Sequence, residues 1–229
     1  MLEITGWTAG YKDTRVVDGV DLTLPGGQMV AVLGRNGVGK TTLLKSVFGL
    51  CPTFSGSLRL DGTPLEVGRP EKMARAGLSF MPDDRGVFRT LTVEQNLRLA
   101  RRRGYTPPVD PLDLFPLLTE RADQAAGTLS GGQKQQVGIA RAILAGERLI
   151  AIDEFSQGLQ PSLAQAALEA LRQLAATGVT VLLVEQSPDL PLRYCDRIVG
   201  MLRGRVVFDH PVDGLDPASG ALTDLLVVS

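Results

Sequence analysis

The stretch GRNGVGKTT, Gly34–Thr42, decides how this chain is read. It follows a short apolar run, Met29–Leu33 (MVAVL), and leads into a helix-compatible stretch, Lys40–Phe48. Strand, glycine-rich turn and helix in that order give the context a phosphate loop needs. Gly34, Arg35, Asn36, Gly37, Val38, Gly39, Lys40 and Thr41 match G-x-x-x-x-G-K-[ST], with Thr42 following. The glycines let backbone N–H groups wrap a triphosphate, helped by the positive end of the helix behind them. Lys40 brings a point charge to the β- and γ-phosphates, and the Thr41 hydroxyl can ligate Mg²⁺. The bland alternative is an ordinary glycine turn before a helix.

Two further stretches extend the reading. Leu149–Glu154 (LIAIDE) is an apolar strand ending in two acids. Beside a phosphate loop, Asp153 is placed to hold Mg²⁺ through water, and Glu154 to orient or deprotonate an attacking water. Leu129–Gln133 (LSGGQ) puts a helix-capping residue, Ser130, before Gly131 and Gly132, which expose the helix's first amides, and Gln133 completes the run. That is a second anion site on a chain that already has one. It fits a dimer, in which the second site closes over the partner's ATP.

Composition sets limits. The chain has 229 residues, 44% of them apolar and 21% charged, with a net charge of −1, which suits one large α/β domain. It lacks the basic footprint of a nucleic-acid binder. Arg101–Arg103 is the one basic run, with a solvated helix end as its bland reading. Cys51 and Cys195 show no metal-ligand spacing and read as thiols in a reducing compartment. The N-terminus does not resemble a signal peptide, and no apolar run approaches the ~20 residues needed to span a bilayer. The expected location is cytoplasmic, at the inner face of the cell membrane through partners.

Along the chain, Ser57–Leu60 and Gly77–Met81 read as strands. Thr92–Gln95 and Ser130–Gln133 have capping-box spacing, so helices are expected from Thr92 to Arg103 and from Ser130 to Leu144. Thr106–Pro111 (TPPVDP) is a break, and Leu112–Leu118 reads as helical. Pro161 and Gly178 bracket a helix, Val179–Val184 is a strand, and Ile198–Leu202 with Val206–Phe208 suggests a hairpin. The expected division is an α/β core from residues 1–82 and 145–229, with a helical insertion over 83–144.

Phosphate loop, helical insertion, LSGGQ and acidic strand, in that order, resemble the ATP-binding subunits of ABC transporters over nearly the whole chain. FMPDDRGVF (Phe80–Phe88), LTVEQNL (Leu91–Leu97), LFP (Leu114–Pro116), AGTLS (Ala126–Ser130) and VEQ (Val184–Gln186) resemble one subgroup. That subgroup is the smaller ATPase of branched-chain amino acid importers and its urea- and amide-importing relatives. The resemblance implies an α/β fold: a P-loop NTPase (RecA-like) core, an N-terminal antiparallel β region and an inserted α-helical subdomain. It implies ATP and Mg²⁺ as ligands. It also implies a second ABC ATPase in a hetero- or homodimer, two integral-membrane permeases and an extracytoplasmic solute-binding protein, with no nucleic acid.

The same resemblance assigns roles by position. Tyr11, ahead of the first strand pair, is similar to the aromatic that stacks on adenine, or is a half-buried surface aromatic. Val16 is similar to its apolar neighbour. Asp83 stands where the family places a Mg²⁺- and water-sensing residue that links to the membrane partner. A turn built from Asp-Asp-Arg-Gly also accounts for it. Gln186 stands where a histidine usually meets the γ-phosphate; glutamine can donate through its amide but cannot ionise. The sole histidine, His210, reads as a surface or turn residue. Phe155 replaces a usual proline and Gln160 a usual aspartate. These departures motivate the alternative of a regulatory nucleotide-binding subunit with weak hydrolysis.

Overall fold

The computed structural model describes residues 1–215, so the end of the expected 145–229 core segment lies outside the described residues. Strands β1 (Leu2–Tyr11), β2 (Thr14–Leu24), β4 (Thr53–Leu60) and β5 (Thr63–Pro64) form an antiparallel sheet in the order β2-β1-β4-β5. A second sheet has the order β10-β9-β3-β8-β7-β6. Its strands are β3 (Met29–Leu33), β6 (Leu78–Met81), β7 (Leu149–Asp153), β8 (Thr180–Glu185), β9 (Arg197–Leu202) and β10 (Arg205–Pro211). All its pairings are parallel except the β9–β10 hairpin. Strands β3, β7 and β8 are buried at every position. This burial on both faces is why they read as continuous apolar runs rather than alternating ones.

Helix α1 (Lys40–Val47) lies between the two sheets and is tied to the antiparallel one by Trp7. That indole is fully buried and donates to Ser46 Oγ at 2.8 Å. Helix α2 (Pro70–Arg75) precedes β6. Between β6 and β7 the chain is helical: α3 (Val93–Ala100), α4 (Pro111–Leu114), α5 (Leu117–Glu120), a 3₁₀ turn (Ala126–Thr128) and α6 (Gly131–Ala145). Helices α7 (Pro161–Ala176) and α8 (Pro191–Tyr194) complete the described part. Helix α6 packs on β6 and β7, and one apolar cluster joins Leu97, Phe115 and Leu118 of the helical region to Ile152 and Leu183 of the sheet.

Both capping boxes form as read: Thr92 and Ser130 each accept the N3 amide, and Gln95 and Gln133 each reach back to the cap amide. Other expectations need correction. Helix α3 stops at Ala100, not Arg103. The chain turns away because Arg102 donates to Glu147 at 2.7 Å and to the carbonyls of Ala74 at 2.6 Å and Arg75 at 2.7 Å. Within the basic run Arg102 thus clamps onto α2, whereas Arg101, the C-cap of α3, and Arg103 are exposed, as expected of a solvated helix end. Leu112–Leu118 is two short helices, divided at Phe115 and Pro116. Tyr11 is the last residue of β1 rather than ahead of it. His210 is an exposed surface residue, as expected, on strand β10, with its ring 4.7 Å from that of Phe208.

Candidate functional site

The register of the parallel sheet assembles the site. Leu33 pairs with Glu185 and Asp153 with Val184, so β3, β8 and β7 end level with one another as neighbours. Whatever follows each strand must meet at this edge, where ligands bind in parallel α/β sheets. The phosphate loop follows β3, Glu154 follows β7, and Gln186 follows β8. They line a cleft of about 200 Å³ with Tyr11, Val16, Asn36, Gly37, Gly39, Lys40, Thr41, Thr42, Asp153, Val184 and Glu185.

Contacts within the chain hold the loop in shape. Gly39 caps α1 at φ +109°, and a Cβ there would sit 3.0 Å from the Val16 carbonyl, so only glycine fits. The Val38 carbonyl accepts from Gly204 in the β9–β10 turn at 2.8 Å. Lys40 Nζ donates to the carbonyls of Gly34 at 2.6 Å and Arg35 at 3.0 Å, closing the side chain over its own loop. Burial lowers the Lys40 pKa, while the charges of Asp153, Glu154 and Glu185 pull the other way. Gly34, Arg35 and Val38 thus serve through their carbonyls, outside the cleft lining.

Asp153 is 1% exposed, and neither carboxylate oxygen has a hydrogen-bond partner of ordinary geometry. Burial raises its pKa, with Asp83 and Glu154 adding to the rise and the Thr41 hydroxyl and Lys40 opposing it. Orphaned carboxylate oxygens opposite a hydroxyl are a hard-oxygen donor set, which fits Mg²⁺. Among the described residues no group of three or more His, Cys, Asp or Glu side chains offers a full metal cage.

Glu154 sits in a turn at φ +51°. Its amide donates to Val184 at 3.0 Å, while Glu185 Oε1 accepts from the next-but-one amide, Ser156, at 2.7 Å. Glu185 was not singled out from the sequence. It is 7% exposed, its pKa raised by burial, and the signal available was an acid ending an apolar strand. Gln135 was also missed; it lies buried behind the Glu154 turn.

Other predicted residues lie apart from the cleft. Asp83 is exposed, outside the lining, and paired with Lys45 at 3.0 Å. Ser130, Gly132 and Gln133 face a different surface, alongside Gly158 and Gln160. A Cβ on Gly132 would meet the Gly158 carbonyl at 2.4 Å, so this glycine lets α6 abut the loop after β7. Gly131 is exposed at the same helix start. Gln160 is the N-cap of α7 without a capping hydrogen bond. Phe155 is buried to 1% in the main core.

With this geometry in view, comparison with known proteins is informative. The family model described as ABC transporter matches residues 17–157. The high-affinity branched-chain amino acid transport ATP-binding protein BraG of Pseudomonas aeruginosa is 38% identical over 213 residues, covering 90% of this chain and 91% of its own. The probable branched-chain amino acid transport ATP-binding protein LivF of Archaeoglobus fulgidus is 34% identical over 221 residues, 94% of each chain. A solved structure described as the ATP-binding subunit of an ABC transporter superposes with a TM-score of 0.83 at 29% identity, over 100% of this chain and 95% of that one.

Proposed function

The chain belongs to the ABC transporter family as an ATP-binding ATPase subunit, and from that premise we propose that it powers uptake of a small polar solute, most specifically branched-chain amino acids. The observation that carries this reading is the separation of two anion sites on one chain. The phosphate loop and the acids share a cleft, whereas Ser130–Gln133 face outward elsewhere. A second copy or a related, larger ATPase would bring its own Ser130–Gln133 equivalent over this cleft. The sequence similarity to branched-chain amino acid ATP-binding proteins supports the cargo class.

In this reading Tyr11 stacks on the adenine with Val16 beside it. The loop amides and Lys40 hold the phosphates, exchanging the lysine's bonds to its own loop for bonds to phosphate oxygens. Thr41 and Asp153 would hold Mg²⁺, which would supply positive charge against the phosphates. Glu154 orients a water and takes its proton as the oxygen attacks the γ-phosphorus. The bond to the bridging oxygen breaks and its electron pair leaves with ADP. Gln186 donates a hydrogen bond to the γ-phosphate oxygens. Positioning and electrostatics of this kind carry most of phosphoryl transfer.

No helix among the described residues is long and apolar enough to cross a membrane, so transport requires permease partners. A groove of about 630 Å³ supports where one docks. Pro82, Arg85, Gly86 and Phe88 form one wall, and Leu50 and Leu99 stand exposed at 54% and 62%. Asp83 lies in the same loop. Residues 83–144 would act as the arm that transmits closure, and the chain would sit on the cytoplasmic face of the membrane. Proteoliposomes containing this chain, its permeases and its partner ATPase should accumulate leucine on addition of Mg-ATP, and Lys40→Ala should abolish it. Uptake untouched by Lys40→Ala, or hydrolysis without amino acid uptake, would contradict the proposal.

A further inference from the structure

Gln135 lies on α6 behind the turn that carries Glu154, and its side chain is 1% exposed. Nε2 donates to the carbonyls of Glu154 at 3.1 Å and Phe155 at 2.8 Å, which uses both of its N–H groups. Oε1 accepts from Arg85 Nε at 3.0 Å. One buried amide therefore joins the catalytic turn to the loop after β6.

The backbones at the two ends of this link share a property. Left-handed φ values occur at five described non-glycine residues: Lys12, Asp61, Arg85, Glu154 and Arg203. Lys12, Asp61 and Arg203 occupy hairpin turns between β1 and β2, β4 and β5, and β9 and β10. Arg85, at +70°, and Glu154, at +51°, are the two outside hairpins, and Gln135 bonds to both. Strained backbone persists only where its surroundings hold it, and it gathers where position matters to function.

The loop is also seated by its other neighbours. A Cβ on Gly138, the next turn of α6, would meet the Arg85 carbonyl at 2.9 Å, so the loop backbone rests directly on the helix. Lys45 of α1 grips Asp83 at 3.0 Å. Pro82, Arg85 and Gly86 wall the apolar groove.

We propose that Gln135 is a positioning residue: it transmits the placement of the loop at residues 82–86 to the backbone of Glu154, and so sets where that carboxylate points. The inference rests on the reading of Glu154 as the group that orients the attacking water. A permease filling the groove would then adjust hydrolysis through Arg85 and Gln135.

The test is steady-state ATP hydrolysis, with ATP affinity measured in parallel, for wild type, Arg85→Ala, Gln135→Leu and the double variant. Each single variant should lower kcat by about tenfold through misplacement of the carboxylate, with KM and ATP affinity unchanged. The double variant should be no slower than Gln135→Leu, because both changes cut the same link. Unchanged kcat in Arg85→Ala, or independent losses that multiply in the double variant, would overturn the inference while leaving the ATPase reading intact. Arg85 is only partly buried, so Arg85→Ala decides alone if Gln135→Leu does not fold. All measurements are made in the presence of the partner ATPase, and a wild-type chain without turnover there would remove the ATPase reading itself, and the positioning role with it.

Discussion

Both carboxylate oxygens of Asp153 are buried without partners, and a charge so placed opposes folding. Its pKa is raised by burial in the folded chain, so between the unfolded carboxylate value of about 3.9 and the folded value the native state binds the extra proton. Stability of the nucleotide-free chain should therefore fall as pH rises through that window and then level off. Asp153→Asn should flatten this component. At neutral pH it should raise the melting temperature of the nucleotide-free chain by about 2–4 °C for each kcal/mol of charge burial relieved, while abolishing hydrolysis. A lowered melting temperature would show that the carboxylate is not a folding liability. The position of Asp153 was legible as the acid ending an apolar strand. Its lack of partners was not, because that depends on what β3 and β8 bring to either side.

Gln186 is exposed at the cleft directly after β8. Gln186→Ala should reduce kcat by about 10²-fold, the scale of losing one preorganised donor, with ATP affinity little changed. An unaffected rate in steady-state kinetics would remove Gln186 from the reaction. Glutamine does not titrate, so wild-type activity should lack a step near pH 6.5 from this position, and Gln186→His should introduce one. His210 lies on β10, outside the cleft lining, with its ring tilted against that of Phe208.

At the scale of elements, the turn after β7 explains how this chain accommodates Phe155 in place of the family's usual proline. The ring is buried in the core cluster shared with α6 and α7, and its carbonyl takes a hydrogen bond from Gln135. The departure is thus absorbed by packing. Phe155→Ala should cost about 3–5 kcal/mol, a large share of a typical domain stability of about 5–15 kcal/mol. Urea unfolding of the nucleotide-free chain measures it, and a loss below about 1 kcal/mol would contradict this core role. Local chemistry made some elements legible. The capping boxes at Thr92 and Ser130 are contacts three residues apart, visible as spacing. Arg102 was not legible in this way, because Glu147 and the carbonyls of α2 reach it only through the fold. The break at Pro116 shows proline chemistry overriding an apolar run that otherwise reads as one helix.

At the scale of the molecule, strand order determines function. The β3-β8-β7 succession brings the phosphate loop into one cleft with two loops more than a hundred residues further along the chain. The motifs at the strand ends predicted its members. Glu185 ended an apolar strand as Asp153 does but was assigned no role, and Gln135 escaped because its partners reach it only through the fold. Ser130 and Gly132 lie on another face, against Gly158. In the proposed dimer a partner would enclose an ATP bound in the cleft.

If Glu154 activates the water in this cleft, steady-state ATP hydrolysis by Glu154→Gln, compared with wild type in the presence of the partner ATPase, should reveal it. Glutamine keeps the shape but cannot accept the proton, so turnover should fall by about 10²–10⁴-fold, while ATP still binds and the closed dimer accumulates. Full turnover by Glu154→Gln would contradict the account.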